Sequence, residues 1–274
     1  MIAALPAAVA VALASVSVTV TSGPVTATLT GVGAAGDRAL TVASDVQLTI
    51  ARRGGVAFHH PLRPCRFGCD PNDPTGARFA SLRIADLDGD GEPEVLVDRS
   101  DGFTPCCSLE TAIMRRDPST GAYTELDHRW GSDYRIAHLD GGRGAELVSS
   151  DLRFYQRFAP RLVGFQLPVQ ILALRRGRLV DVTRAHLGPV RRHARSLARL
   201  LRRTDALADG HPGRSRTLAR AALRPQLAAY AAEERLLGHR RVGDRRVARE
   251  ARRGRVSRSF RSRLMRFLSQ MGYG

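Results

Sequence analysis

An internal repeat constrains the fold of this chain more than any other feature of its sequence. Arg83–Gly89 reads RIADLDG and Arg135–Gly141 reads RIAHLDG, at a spacing of 52 residues. Downstream of the two copies, Glu94–Leu96 matches Glu146–Val148. A period near 50 residues with about four strands per unit is typical of propeller blades. About three such units fit between residues 15 and 183, whereas propellers have about four blades or more. We therefore expect an incomplete propeller, one completed by another element, or a different arrangement of the same hairpins.

Apolar periodicity divides the chain into a strand-rich region and a helical region. The predicted strands are Ser15–Val20, Val25–Val32, Leu40–Ala43, Val46–Ile50, Leu82–Ala85, Glu94–Val97, Ala112–Arg115, Tyr123–Asp127, Arg135–Ala137, Glu146–Val148, Gln170–Leu174 and Arg178–Val182. The predicted helices are Val190–Arg203, Gln226–Leu237 opened by Arg224-Pro225, an arginine-lined segment around 245–253, and a segment from Ser257. The sequence thus predicts an α+β fold with propeller-blade-like antiparallel hairpin units over 15–187 and an Arg-rich helical domain over 188–274.

Charge is divided unevenly between these two regions. The net charge is +17, and all 43 basic residues are arginine, which is typical of a high-GC coding bias. Residues 1–150 contain 13 arginines and 18 acidic residues, whereas residues 151–274 contain 30 arginines and 8 acidic residues. A solvated face is the simplest interpretation of the arginine-rich helices. The alternative is a polyanionic partner, either an envelope polymer or a membrane surface. Nucleic acid is disfavoured because the preceding region is acidic and carries export signals.

The strongest site motif is the Asp-rich segment Asp86–Glu94, hereafter the first loop. Ca²⁺ prefers about six to eight oxygen ligands, and carboxylates at alternating positions supply them when the chain curls around the ion. Gly91 permits the sharp turn. The flanks are strand-like, so we expect a strand–loop–strand site. Its predicted Ca²⁺ ligands are Asp86, Asp88, Asp90, Glu92 through its carbonyl, and Glu94. The alternative is a metal-free turn whose acids cap backbone amides.

The segment Ile84–Val97, IADLDGDGEPEVLV, resembles the FG-GAP (VCBS-type) repeat of integrin-like propellers and many exported bacterial proteins. The resemblance is strong over 81–98 and weaker over 134–150. Other segments are similar to an exported FG-GAP-containing family of high-GC bacteria: Gly23–Leu29, Pro105–Cys107, Arg178–Thr183, Leu236–Gly238 and Gly272–Gly274. This resemblance implies a blade-like architecture and bound calcium but no named activity.

The weaker copy, His138–Glu146, is hereafter the second loop. His138 replaces the first aspartate of the motif and Gly142 replaces the third. Asp140 and Glu146 remain, so half of the carboxylates are lost. We therefore expect that the second loop does not bind a hard cation.

Several features indicate export. Residues 1–14 form an apolar run that ends in Ala12-Leu13-Ala14, a small-x-small pattern, and we interpret this run as a signal peptide. The alternative is a buried N-terminal strand. Cys65, Cys69, Cys106 and Cys107 make an even set, which in an exported protein predicts two disulfides of undetermined pairing. A Cys₄ zinc site is the alternative, although vicinal cysteines fit it poorly.

No catalytic motif stands out. The sequence has no Gly-x-Ser-x-Gly or His-Glu-x-x-His motif, and a P-loop requires a lysine that the chain lacks. His59-His60 is interpreted as an ordinary pair rather than a metal site, because neighbours on a strand point to opposite faces. A catalytic use of His128, Asp133 and His138 has no supporting spacing. The expected function is that of an exported, calcium-stabilised binding or adhesion module with an extracellular ligand. The alternatives are polyanion binding through the helices and a hydrolase with accessory calcium.

Overall fold

The computed structural model describes residues 14–37, 39–62, 78–100, 109–155, 157–158, 166–209 and 213–274. These residues form three four-stranded antiparallel units and then four helices, which confirms the predicted α+β class. The first unit contains β1 (Ala14–Ser22), β2 (Val25–Ala35), β3 (Ala39–Arg52) and β4 (Gly55–Pro61). The second contains β5 (Arg78–Ala85), β6 (Glu94–Ser100), β7 (Glu110–Arg116) and β8 (Tyr123–Arg129). The third contains β9 (Arg135–Ala137), β10 (Glu146–Ser150), β11 (Val169–Arg175) and β12 (Arg178–Asp181). The helices are α1 (Leu187–Asp209), α2 (Arg214–Leu236), α3 (Arg240–Arg252) and α4 (Arg258–Gln270).

The first two units are joined into one eight-stranded sheet through β3. Its first part, Ala39–Val42, pairs with Arg78–Ser81 of β5, and its second part pairs with β4. The β2–β3 register shifts between Thr30 and Gly33, which marks an irregularity of the kind that bends a strand. The two halves of the sheet therefore share a core between their faces. That core includes Val18, Val25, Leu29, Leu48 and Ile50 from the first unit and Leu82, Val95, Val97 and Met114 from the second.

The second unit is the middle layer of the β region. Val95 and Val97 of β6 pack towards the first unit, whereas Leu96 packs with Leu147 and Leu172 of the third. Because both faces are covered, β6 is buried from Glu94 to Arg99. This arrangement explains why three successive residues, Val95–Val97, are apolar, whereas a strand with one solvated face would alternate.

The helical region packs against the third unit. The buried carboxylate of Glu233 in α2 accepts a 2.8 Å hydrogen bond from the Val169 amide at the start of β11. The Tyr273 hydroxyl donates a 2.7 Å hydrogen bond to the buried Asp151 carboxylate. Within the described ranges the three units do not close into a ring. The hairpin units thus form an open arrangement, and the helices pack on its third unit.

Three local features differ from the sequence-based strands and helices. The predicted strands Leu40–Ala43 and Val46–Ile50 are parts of the single strand β3. Strand β4 was not predicted because six of its seven residues are exposed, which leaves no apolar alternation. Pro225 lies inside α2 rather than at its start. A proline at this position removes one backbone hydrogen bond from the helix interior.

Candidate metal centre

The first loop connects β5 to β6, which gives the strand–loop–strand arrangement that the sequence predicts. Asp86 follows β5 directly, and Glu94 is the first residue of β6. Gly89 and Gly91 have φ angles of 79° and 87°. Such left-handed conformations favour glycine and let the chain turn back within the loop.

Three of the predicted ligands come together in this loop. One carboxylate oxygen from each of Asp86, Asp88 and Glu94 lies within 4.8 Å of the others. Glu94 is only 2% exposed. Burial and repulsion from the neighbouring aspartates raise the pKa of Glu94 to about 8, although a hydrogen bond from the Leu87 amide opposes this shift. Ionised Glu94 therefore needs a nearby positive charge, and an all-oxygen donor set suits Ca²⁺.

The same aspartates also accept hydrogen bonds from the loop backbone. Asp86 Oδ1 accepts from the Gly89 amide at 2.7 Å, and Asp86 Oδ2 accepts from the Gly91 amide at 3.0 Å. Asp88 Oδ1 accepts from the Asp90 amide at 3.2 Å. These are the hydrogen bonds expected of the metal-free turn, and they occur together with the carboxylate cluster. Hydrogen bonds between the carboxylates and the backbone amides of the loop thus help to hold its conformation.

The carboxylates of the other two predicted ligand residues, Asp90 and Glu92, are not part of this cluster. Asp90 Oδ1 accepts a 2.8 Å hydrogen bond from the Glu92 amide. The Glu92 carboxylate forms a two-pronged ion pair with Arg52 of β3, at 2.6 Å for both hydrogen bonds. This pair lowers the pKa of Glu92 and engages its carboxylate, so a cation contact through the Glu92 carbonyl stays a prediction. Arg115 Nε lies 3.3 Å from Asp88 Oδ2 and partly balances the charge of the cluster.

The second loop has the same hydrogen-bonded frame. Glu146 Oε2 accepts a 2.8 Å hydrogen bond from the Leu139 amide, and Asp140 Oδ1 accepts one of 2.8 Å from the Gly142 amide. His138, at the position of the first aspartate, lies with Nδ1 3.1 Å from the Gly144 carbonyl oxygen.

A residue from outside the repeat completes a second cluster here. One ligand atom from each of Asp140, Glu146 and His186 lies within 4.8 Å of the others. His186 lies between β12 and α1, so nothing in the repeat pattern pointed to it. Only the proximity of the third unit to the start of α1 brings this imidazole to the loop.

The two loops contact each other through glycines. A Cβ atom added at Gly89 would lie 2.8 Å from the Gly144 nitrogen, and one added at Gly144 would lie 2.9 Å from the Leu87 carbonyl oxygen. These separations are shorter than normal contacts with a Cβ atom. The second and third units therefore meet at a backbone-to-backbone contact that side chains cannot enter.

The other singled-out residues take ordinary structural positions or are not described. His59 Nδ1 lies 2.8 Å from Thr49 Oγ1, and His60 stacks on Phe58. His128 packs edge-on against Trp130 with ring centroids 4.3 Å apart, and burial lowers its pKa to about 4. The four cysteines and residues 1–13 lie outside the described residues. In the part of the chain that is described, no helix is both long and apolar enough to span a membrane.

The helical region contains a groove rich in arginine, hereafter the Arg groove. It encloses about 530 Å³ and lies between α1, α2 and α3. Its lining consists of Ala198, Leu201, Arg202, Tyr230, Val242, Arg245, Arg246, Arg249 and Arg252, none of which is acidic. Five of these nine residues are arginine, so the groove concentrates positive charge.

Comparisons of the chain with protein-family models, with curated proteins and with solved structures find no match.

Proposed function

We propose that the chain is an exported calcium-binding module of the FG-GAP type, in which the ion stabilises a binding or adhesion surface at the cell envelope. The observation that supports this most directly is the convergence of Asp86, Asp88 and Glu94. Their oxygens form a hard donor set, and Glu94 is buried where its charge requires compensation. The resemblance of Ile84–Val97 to the FG-GAP repeat implies the same ion.

The ion would act on stability more than on chemistry. It would hold the ends of β5 and β6 together beside the contact with the second loop. At about 1 mM Ca²⁺ and a Kd of about 10⁻⁴ M, as in extracellular modules, binding adds about 1.4 kcal/mol to the free energy of unfolding. A structural role fits an effect of this size.

Thermal unfolding in EDTA and in graded Ca²⁺ tests this proposal. We expect a rise in Tm that saturates at one ion per chain, and Asp88→Ala should abolish it. Asp117→Ala is a matched control, because Asp117 accepts hydrogen bonds from the Ser119 and Thr120 amides in a turn that is not part of either cluster. That variant should lower Tm without changing the response to calcium. A response that persists in Asp88→Ala would exclude the first loop as the site.

A second candidate function is polyanion binding in the Arg groove. The nearby acids are engaged with other arginines: Glu250 and Asp205 both pair with the buried Arg255 at 2.9 Å, and both also pair with Arg246. Among the described residues, Arg202, Arg245 and Arg252 form no ion pair, although all three line the groove. Guanidinium groups left without carboxylates suit phosphate-like anions.

Binding of inorganic tripolyphosphate, measured by calorimetry across a salt series, tests this candidate. Replacing Arg202, Arg245 and Arg252 together with glutamine should weaken binding strongly. Replacing the exposed Arg258, Arg261 and Arg263 of α4 removes the same charge elsewhere and should change the affinity only slightly. Equal losses in the two triple variants would indicate a diffuse field and no groove site.

A further inference from the structure

The second cluster contains buried Glu146 and partly buried His186, whose ligand atoms face each other without a hydrogen bond. Glu146 is 5% exposed, and the His186 side chain is 11% exposed. His186 Nε2 lies 3.9 Å from Glu146 Oε1, beyond hydrogen-bonding distance. The Leu139 amide bonds the other oxygen, Oε2. Within the described residues, neither Oε1 nor the His186 ring has a hydrogen-bond partner.

Glu146 Oε1 and the His186 ring therefore retain lone pairs that a shared ion could use. Bonds of about 2.1 Å at the tetrahedral angle place two ligand atoms about 3.4 Å apart. A separation of 3.9 Å is about half an ångström wider than two ligand atoms of one tetrahedral zinc ion show, so a small side-chain movement would bring both atoms onto an ion. Asp140 supplies a third ligand atom within 4.8 Å, and its exposed side chain can adjust towards an ion.

We propose that Asp140, Glu146 and His186 bind a divalent transition-metal ion of the zinc class. One imidazole nitrogen with two carboxylates is a borderline donor set that suits Zn²⁺ or Co²⁺ better than Ca²⁺, which prefers oxygen alone. The second loop is therefore a metal site of altered selectivity. This inference is independent of the proposed calcium function, because it concerns a different loop and a different class of ion.

The ion would link two parts of the fold. Asp140 and Glu146 lie at the β9–β10 hairpin, whereas His186 directly precedes α1. A shared ion would therefore tie the third unit to the start of the helical region. Three protein ligands also leave a coordination position for water or an exogenous group. Exposed Asp140 places that position at the surface.

Co²⁺ titration of the full chain tests the site, with millimolar Ca²⁺ present to saturate the first loop. We expect one Co²⁺ per chain, a visible d–d absorption spectrum and displacement by Zn²⁺. His186→Ala and Glu146→Gln should each weaken binding at least about tenfold, since even outer-shell changes weaken metal sites by about 10- to 100-fold. The control is His60→Ala, which removes an exposed histidine on β4.

Three results would overturn the proposal, and two further variants guard against ambiguity. Equal affinity in wild type and His186→Ala, or equal losses in His186→Ala and His60→Ala, would show that His186 is not a ligand. A thiolate charge-transfer band would place the ion on cysteine. If His186→Ala does not fold, Glu146→Gln decides, because its amide oxygen still accepts from Leu139. Asp88→Ala should remove the calcium response and leave Co²⁺ affinity unchanged. Loss of Co²⁺ binding in Asp88→Ala would assign the ion to the first loop.

Discussion

The second and third units are two versions of one hairpin, and their loops share a backbone frame. Glu94 and Glu146 each open the following strand and accept a 2.8 Å hydrogen bond from a leucine amide, that of Leu87 or Leu139. These bonds do not require an ion. The hairpin geometry is therefore retained in the second loop although it has lost two carboxylates.

The loops differ in where the remaining ligand comes from. In the first loop, Asp86 lies in the same turn as Asp88. In the second, His138 occupies the corresponding position and faces the Gly144 carbonyl, while His186 reaches the cluster from another element. The hydrogen-bonded backbone that the two loops share thus determines where a cluster forms. The side chains nearby determine which ion the cluster suits.

The largest difference that we expect between the second and third units is in the stability lost on substituting Asp98, which lies outside the loops. Asp98 of β6 is buried and accepts hydrogen bonds from the Ser81, Thr111 and Tyr134 hydroxyls at 3.0, 2.5 and 2.8 Å. It also pairs with Arg83. Asp98→Ala should cost about 3–5 kcal/mol, because it leaves a partly buried cation and several polar groups without their partner.

The equivalent position in the third unit provides the control for Asp98. In the repeat, Ser150 corresponds to Asp98, and its hydroxyl lies 3.0 Å from that of Ser132. Ser150→Ala should cost about 1 kcal/mol, the usual value of one neutral hydrogen bond. Urea unfolding of both variants measures the difference. Equal losses would mean that Asp98 does not anchor the second unit.

Stability at low pH should be limited by His128 of the second unit. Burial lowers the pKa of His128 to about 4, below the value of about 6.5 in an unfolded chain. The unfolded state therefore binds the proton first as pH falls. Stability should be full above pH 6.5 and should decrease by up to about 3 kcal/mol as pH falls to about 4.

His128→Phe isolates this effect, because it keeps a ring against Trp130 and removes the titrating group. The pH dependence of urea midpoints between about 4 and 6.5 should flatten in this variant. An unchanged slope would assign the acid sensitivity to other groups. Measurements on the loops are best made above this pH range, where the titration of His128 does not change the stability.

The next largest loss of stability should come from a substitution at the backbone contact between the two loops. A Cβ atom at Gly144 would meet the Leu87 carbonyl oxygen at 2.9 Å and the Gly89 nitrogen at 3.2 Å. Gly144→Ala should therefore cost about 2 kcal/mol through overpacking. It should also weaken binding of Ca²⁺ to the first loop and of Co²⁺ to the second.

Gly91→Ala is the comparison for that variant. Gly91 has a φ of 87° and open space around its Cβ position, so the strain should stay within the first loop. Calcium binding should weaken while Co²⁺ binding is retained. If Gly144→Ala also affects only one ion, the two loops are not coupled through their contact.

The sequence predicted the residues that are brought together within one loop, but not those that meet only through tertiary packing. Spacing alone identified Asp86, Asp88 and Glu94, because a loop brings neighbours in sequence together. It did not identify His186, whose role depends on how α1 packs beside the third unit. Nor did it find that Arg52, a residue of the first unit, binds the Glu92 carboxylate. Strand β4 was missed for a related reason, since an exposed strand carries no apolar pattern.

Restoring the lost carboxylates gives the smallest expected change in stability and the sharpest test of the comparison. His138→Asp with Gly142→Asp recreates the charge pattern of the first loop on a frame that already matches it. Gly142 has room for this, since only the Asp140 carboxylate lies near its Cβ position, at 3.0 Å. We expect a second Ca²⁺ per chain and about 1.4 kcal/mol of additional calcium-dependent stability at about 1 mM. The same pair combined with Glu146→Gln should lose this gain.

If calorimetry still finds one Ca²⁺ per chain in the restored variant, the shared hydrogen-bonded backbone is not sufficient for calcium binding. In that case the first loop must depend on residues outside its own sequence, such as Arg115 or Arg52.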